Sequence, residues 1–198
     1  MTLLRIMPEG EPETVRVWTD DFDAIRKELL RIGVRFARWH AARRIPAGAD
    51  DATVMNAYRS HIDHVRAESG YQAVDIARLV AGPAGPAGPA GSARPGPGQP
   101  TREKLLKEHF HDEDLVRFVV SGLGCFYLHA AAQVYAVLCT AGDMLSVPSR
   151  TAHWFDAGAS PSYTAIRFRG KRNGPITRLL PDGIASRFPT LDDLLPTS

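Results

Sequence analysis

From residue 108 onward the chain breaks into short β-rich runs, FVVSGLGCFYLHA, QVYAVLCT, DMLSVPS and SYTAIRFR, separated by Gly, Pro, Asn or Ser. Closely spaced short strands with turn residues between them predict an antiparallel barrel or sandwich. The first 80 residues read differently. Thr19 or Asp20 is placed to cap a helix in which Phe22, Ile25, Leu29 and Ile32 fall at helical spacing, with Gly33 placed to end it. VRFARWHA then reads as a strand. Asp50 and Asp51 open a second helix reaching Glu68, with Val54, Tyr58, Ile62 and Val65 on one face and Gly70 after it. YQAVDIARLVA is a further strand. Arg102 to Lys107 form a short helical or extended lead-in, and the tail from Pro175 carries at most a weak amphipathic helix around Asp182 to Phe188. The fold class expected is therefore α+β, mainly β.

Composition narrows the setting. Residues 81–100 hold six Gly and six Pro in twenty positions, with three GPA triplets. A collagen helix needs three chains and long strict repeats, so this segment is expected to be a mobile insertion in a single domain spanning 1–198. Hydrophobic residues make up 44% of the 198 positions, enough for a core without disulfide staples. A net charge of +2 gives no electrostatic footprint for nucleic acid or a membrane surface. Cys125 and Cys139 sit in apolar strand-like runs outside any CxxC pair, which argues against a disulfide framework or a zinc ribbon. No apolar run approaches the ~18 residues of a membrane span. Arg5, Glu9, Glu11 and Glu13 spoil a signal-peptide core. A soluble, cytoplasmic monomer is expected.

Two sets of histidines stand out. His61 and His64 lie three apart on the second expected helix, where a metal would need partners from elsewhere, and they read as solvated or partly buried helix residues. His109 and His111 are separated by one residue just before the first strong strand, so on a strand both imidazoles point to one face. His153 follows the turn-like GDMLSVPSRTA. Two histidines at strand spacing with a distant third can hold a transition metal inside a β-barrel. The same residues could instead be surface histidines at strand ends.

The surroundings add a resemblance. HFHDEDLVRFVVSG and the block from Gly142 through Pro148 to His153 resemble the two motifs of the cupin superfamily. With GVRFARWHA, MNAYRSHIDHVRAESGYQAVDI, KEHFHDEDLVRFVVSGLGCFYLH, QVYAVLCTAGDMLSVPSRTAHWFD and YTAIRFR in order, the chain is similar to acireductone dioxygenase over nearly its whole length, apart from the GPA insertion and the last 25 or so residues. The resemblance implies a cupin-type β-barrel (a double-stranded β-helix) with N-terminal helices packed on it. It implies Fe²⁺ or Ni²⁺ on three histidines and one glutamate. His109, His111 and His153 take the imidazole roles, while the glutamate position is occupied by Leu115, so HxHxxxE becomes HxHxxxL. Glu113 is the nearest stand-in along the strand. Arg117 matches the arginine that helps hold an enediolate substrate, through charge-assisted hydrogen bonds. Phe155 matches a pocket wall, and as a bare residue it is equally a core aromatic. The aromatic residue that the family places after the last strand has no clear counterpart in RGKRNGPITRLL. His129 reads as structural.

The implied activity is oxidation of 1,2-dihydroxy-3-keto-5-methylthiopentene (acireductone) by O₂ in methionine salvage. With iron the family forms the 2-keto acid and formate, and with nickel a shorter carboxylic acid, formate and CO. Two other classes remain open at this stage: a diverged cupin oxygenase with another chelating substrate, and a non-catalytic cupin binding protein.

Overall fold

The computed structural model describes residues 1–40, 45–46, 48–81, 93–95, 101–170 and 175–195. The N-terminal half supplies strands β1 (Leu3–Pro8), β2 (Val17–Thr19), β3 (Arg35–Arg38), β4 (Ala73–Ala81) and β5 (Ala93–Pro95). The rest supplies β6 (His109–His111), β7 (Leu115–Ala130), β8 (Gln133–Thr140), β9 (Asp143–Val147), β10 (Ala152–Asp156), β11 (Ser162–Arg169) and β12 (Thr177–Leu179). Every pairing among them is antiparallel. One sheet runs β12–β6–β10–β7–β8–β1–β2, the other β3–β9–β7–β11–β4–β5.

The long strand β7 belongs to both sheets. Its first part pairs with β9 and β11, and from Leu123 it pairs with β8 and β10. The crossing is made at Gly122, where φ is +75° and an added Cβ would lie 1.4 Å from the Ser162 carbonyl oxygen. A side chain is excluded there, and the register with β11 slips by one residue just before it, where Val120 is passed over between the Ser121–Thr164 and Val119–Ala165 pairs. This bend folds one sheet over the other and makes the barrel.

Strand alternation then sorts side chains into three apolar layers. The interior holds Leu4, Ile6, Leu115, Val119, Phe126, Leu128, Tyr135, Val137, Leu145, Phe155 and Tyr163, closed at one side by Ile25 and Leu29 of α1 (Phe22–Leu30). The outer face of the second sheet is covered by α2 (Asp51–Ala57) and α3 (Arg59–Ser69), through Val54, Tyr58, Ile62 and Val65. The outer face of the first sheet, with Tyr127 stacked on Trp154, is covered by Phe188, Leu191 and Leu194 of the tail.

The structure bears out the mainly β, cupin-type barrel with helices on it, and adds detail. The N-terminal half contributes sheet strands as well as helices, because β1 and β3 satisfy backbone groups along β8 and β9. The first helix is capped by Asp21, whose carboxylate accepts the Ala24 N–H at 2.8 Å, rather than by Thr19 or Asp20. The second expected helix is two, parted at Tyr58 where ψ is 15°. The lead-in at 102–107 includes a short helix, α4 (Arg102–Leu105). The tail contains β12, a 3₁₀ turn at Ala185–Arg187 and the helix α5 (Leu191–Leu194), not a helix over 182–188. Of the 81–100 insertion, Ala93–Pro95 extends the second sheet, whereas 82–92 and 96–100 lie outside the described residues. No described helix is long and apolar enough to cross a membrane.

Candidate metal centre

His109 and His153 are direct cross-strand partners on β6 and β10, and His111 lies two residues along β6 on the same face. One ring nitrogen from each lies within 4.8 Å of the others, and the ring centroids are 4.5–5.0 Å apart. All three rings are buried.

The other ring nitrogens are held from behind. His109 Nδ1 donates to the Lys107 carbonyl at 2.6 Å, and His153 Nδ1 to the Thr151 carbonyl at 2.8 Å. His111 Nδ1 lies 3.1 Å from Thr177 Oγ1. A carbonyl only accepts, so these contacts place the hydrogen of His109 and His153 on Nδ1 and leave the lone pair on Nε2. His153 Nε2 is buried with no hydrogen-bond partner. Burial pushes all three imidazoles below their usual range, His111 to about 4 and His153 to about 3, and the neighbouring imidazoles add to the shift in those two. At neutral pH the cluster is three neutral donors around one point, with the tautomers of His109 and His153 fixed as a divalent metal requires.

Comparison with known proteins decides the family. Residues 99–175 match the ARD/ARD' family model. The chain is 43% identical over 195 residues to acireductone dioxygenase 1 of Nocardia farcinica, covering 98% of this chain and all of that protein. It is 41% identical to acireductone dioxygenase of Saccharopolyspora erythraea, covering 98% of each. The chain belongs to the acireductone dioxygenase family. Among solved structures, the fold is similar to acireductone dioxygenase from Bacillus anthracis with cadmium ion in the active center. That match has a TM-score of 0.65 at 25% identity and covers 89% of this chain and 98% of that one. Members of this family are metal-dependent dioxygenases, and the cluster described above is the one group of three or more potential ligands among the described residues.

Among the described residues, no carboxylate joins that cluster. Leu115 is buried in the barrel interior, on β7 opposite Val147. Glu113 lies outside the cluster, with its carboxylate beside Gly170 and its charge felt by Tyr71. The charge of Arg117, two residues past Leu115, is felt at His111, His153 and Tyr163. Burial and the adjacent Arg167 push its guanidinium down to about 10, so it remains a cation at neutral pH. It donates a hydrogen bond to the Val116 carbonyl. Phe155 lies two residues beyond His153 on the same face, against Phe126 and Tyr163. Gly124 makes room for it, since a Cβ there would come within 2.4 Å of the Phe155 ring.

Sequence reasoning missed the charged row opposite. Asp75, Arg167 and Arg117 are successive cross-strand partners on β4, β11 and β7. Asp75 accepts from Arg167 Nε at 2.6 Å and pairs with Arg169 at 2.6 Å. The Tyr163 hydroxyl and Arg169 Nε are buried without partners. The alternation of Tyr163, Arg167 and Arg169 along SYTAIRFR was available as a signal, but which face of that strand looks inward is set by its neighbours.

The remaining candidates fall elsewhere. His61 packs on Trp39, and His64 faces Glu68 at 3.4 Å, so neither joins a metal cluster among the described residues. His129 is structural: its Nδ1 meets Glu108 at 2.7 Å and its Nε2 meets Glu9 at 3.3 Å. Cys125 and Cys139 are free and buried, with burial pushing both thiols up, which suits core residues and not nucleophiles.

Proposed function

We propose that this chain oxidises acireductone with O₂, using Fe²⁺ or Ni²⁺ held by His109, His111 and His153, as a cytoplasmic monomer in methionine salvage. The whole of 1–198 is read as one domain, with 81–100 inserted into it. The observation that carries this reading is the convergence of three neutral imidazoles, backed by fixed Nδ1 contacts, in a chain of this family. When bound, the metal would supply a Lewis acid and template for a chelating enediolate and O₂.

The protein's own residues do the rest. The guanidinium of Arg117 offers charge-assisted hydrogen bonds to an anionic substrate oxygen. Phe155 and its aromatic neighbours form an apolar wall that keeps water from the reacting carbons. The carbonyls of Lys107 and Thr151 hold two of the imidazoles in the donor tautomer.

The test is loading of the untagged protein with each metal under anaerobic conditions, followed by acireductone and O₂. The expected result is enediolate consumption, with formate and 2-keto acid from the iron form and CO from the nickel form. Metal-loaded protein that leaves acireductone at its uncatalysed rate rejects the reading. Leu115 favours one second reading, a diverged oxygenase of this family with another chelating substrate. O₂ uptake with other enediols, in the absence of acireductone turnover, would select it.

A further inference from the structure

The polar groups inside the barrel do not balance one another. On one wall stand three neutral imidazoles, one of which presents a buried Nε2 with no donor. On the other stand Arg117, Arg167 and Arg169 with Asp75 as the carboxylate they share. Asp75 pairs with Arg167 and Arg169, and Arg117 has no carboxylate partner among the described residues. Two further donors, the Tyr163 hydroxyl and Arg169 Nε, are buried without acceptors. The charges of Glu108 and Asp112 are felt at His109 and His111, but neither carboxylate joins the cluster, so a divalent cation on the histidines would have no anionic ligand among the described residues and would face the guanidinium of Arg117. Where a carboxylate would lower that charge, the side chain is Leu115, apolar and buried.

We infer that this chain takes up its metal together with a small exogenous monoanion, which sits between the three-histidine centre and Arg117 and supplies the negative charge that Leu115 lacks. The inference rests on the three-histidine reading above and deepens it. Metal and anion each raise the affinity of the other, because each neutralises the charge that opposes its partner, and such coupling is reciprocal. The chemistry selects a compact anion with a lone pair for the metal and an acceptor for Arg117, such as a halide, formate or azide. In a four-ligand site with its own carboxylate the same anion would be superfluous.

The experiment is calorimetric titration of Co²⁺ into untagged, metal-free protein in perchlorate buffer, with and without azide at matched ionic strength. Visible absorption of the bound Co²⁺ reports its ligands. In the wild type azide should raise Co²⁺ affinity about tenfold or more and change the spectrum. Leu115→Glu should bind Co²⁺ tightly without azide and lose most of the azide effect. Leu115→Gln, an uncharged oxygen donor of the same shape, should keep it. Equal Co²⁺ affinity with and without azide in the wild type overturns the inference, and needs no variant to fold. An azide effect that persists undiminished in a folded Leu115→Glu also overturns it. Azide coupling without acireductone turnover removes only the proposed substrate. Turnover without azide coupling removes only this inference. Absence of Co²⁺ binding under both conditions removes both.

Discussion

The two inner walls of the barrel bury polar groups in opposite ways. The β6–β10 wall carries three imidazoles, and burial has driven them to the neutral form, so they need no counter-charge. The β7–β11–β4 wall carries Arg117, whose guanidinium stays a cation although buried and must find an anion. One wall therefore presents lone pairs and the other presents N–H donors across the same small space. A titratable group yields to burial by changing its charge, whereas arginine makes burial a demand on its surroundings.

The strongest way to break this contrast is on the histidine wall. His153→Ala should lower metal affinity at least about hundredfold, since it removes one of three donors. Titration calorimetry checks it, and unchanged affinity would mean that the cluster is not a metal centre. On the opposite wall, Arg117→Gln should cost about 3 kcal/mol in kcat/KM for an enediolate substrate, with metal affinity unchanged or raised when neither substrate nor a coordinating anion is present. Steady-state kinetics beside a metal titration separates the two walls. If metal affinity falls as much as kcat/KM does, the guanidinium is supporting the histidines and the contrast fails.

A substitution outside both walls serves as a reference. Asp156 is fully buried on the outer side of β10, where it takes two hydrogen bonds from Arg102, at 2.8 and 2.9 Å, and the backbone N–H groups of Gly158 and Leu191. Burial alone would raise this carboxyl, but the hydrogen bonds and the charge of Arg102 hold it below its usual range. Asp156→Asn should loosen the tail and cost about 2–3 kcal/mol of stability, with metal affinity kept near wild type. Urea melts and the same titration decide it.

The smallest effect is one of pH on the metal-free protein. His111 and His153 titrate at about 4 and about 3 in the fold, against 6.5 when unperturbed. Below 6.5 the unfolded chain takes up protons that the folded chain refuses, so the folded state loses stability as pH falls from about 6.5 toward 4. Urea midpoints should drop across that window. In His153→Ala the drop should be shallower, and an identical slope would place the responsible groups elsewhere.

Much of the site was legible before any coordinates. The HxH spacing predicted two imidazoles on one face, and strand β6 places them so. The β-rich runs after residue 108 were legible as an antiparallel barrel or sandwich because turn residues punctuate them at short intervals, and the resemblance chose the barrel. The first strand, Leu3–Pro8, was not recognised, and its place in the sheet comes from β8 alongside it. The break at Tyr58 was hidden because the apolar positions Val54, Tyr58, Ile62 and Val65 keep helical spacing through it.

By itself the sequence determined which residue types lie at which strand parity, and with them the pairing of His109 with His111, the apolar Leu115 in line after them and the buried character of Cys125 and Cys139. Only the tertiary structure decided that His153 meets His109 on the neighbouring strand, that Asp75 pairs with Arg167 and Arg169 and not with Arg117, and that Glu113 lies outside the cluster with its carboxylate beside Gly170. Parity is a local property of the backbone and follows from the order of residues. Opposition across the barrel depends on register, which is fixed by the pairing of each strand with its neighbours along its whole length and is not written in the order of residues.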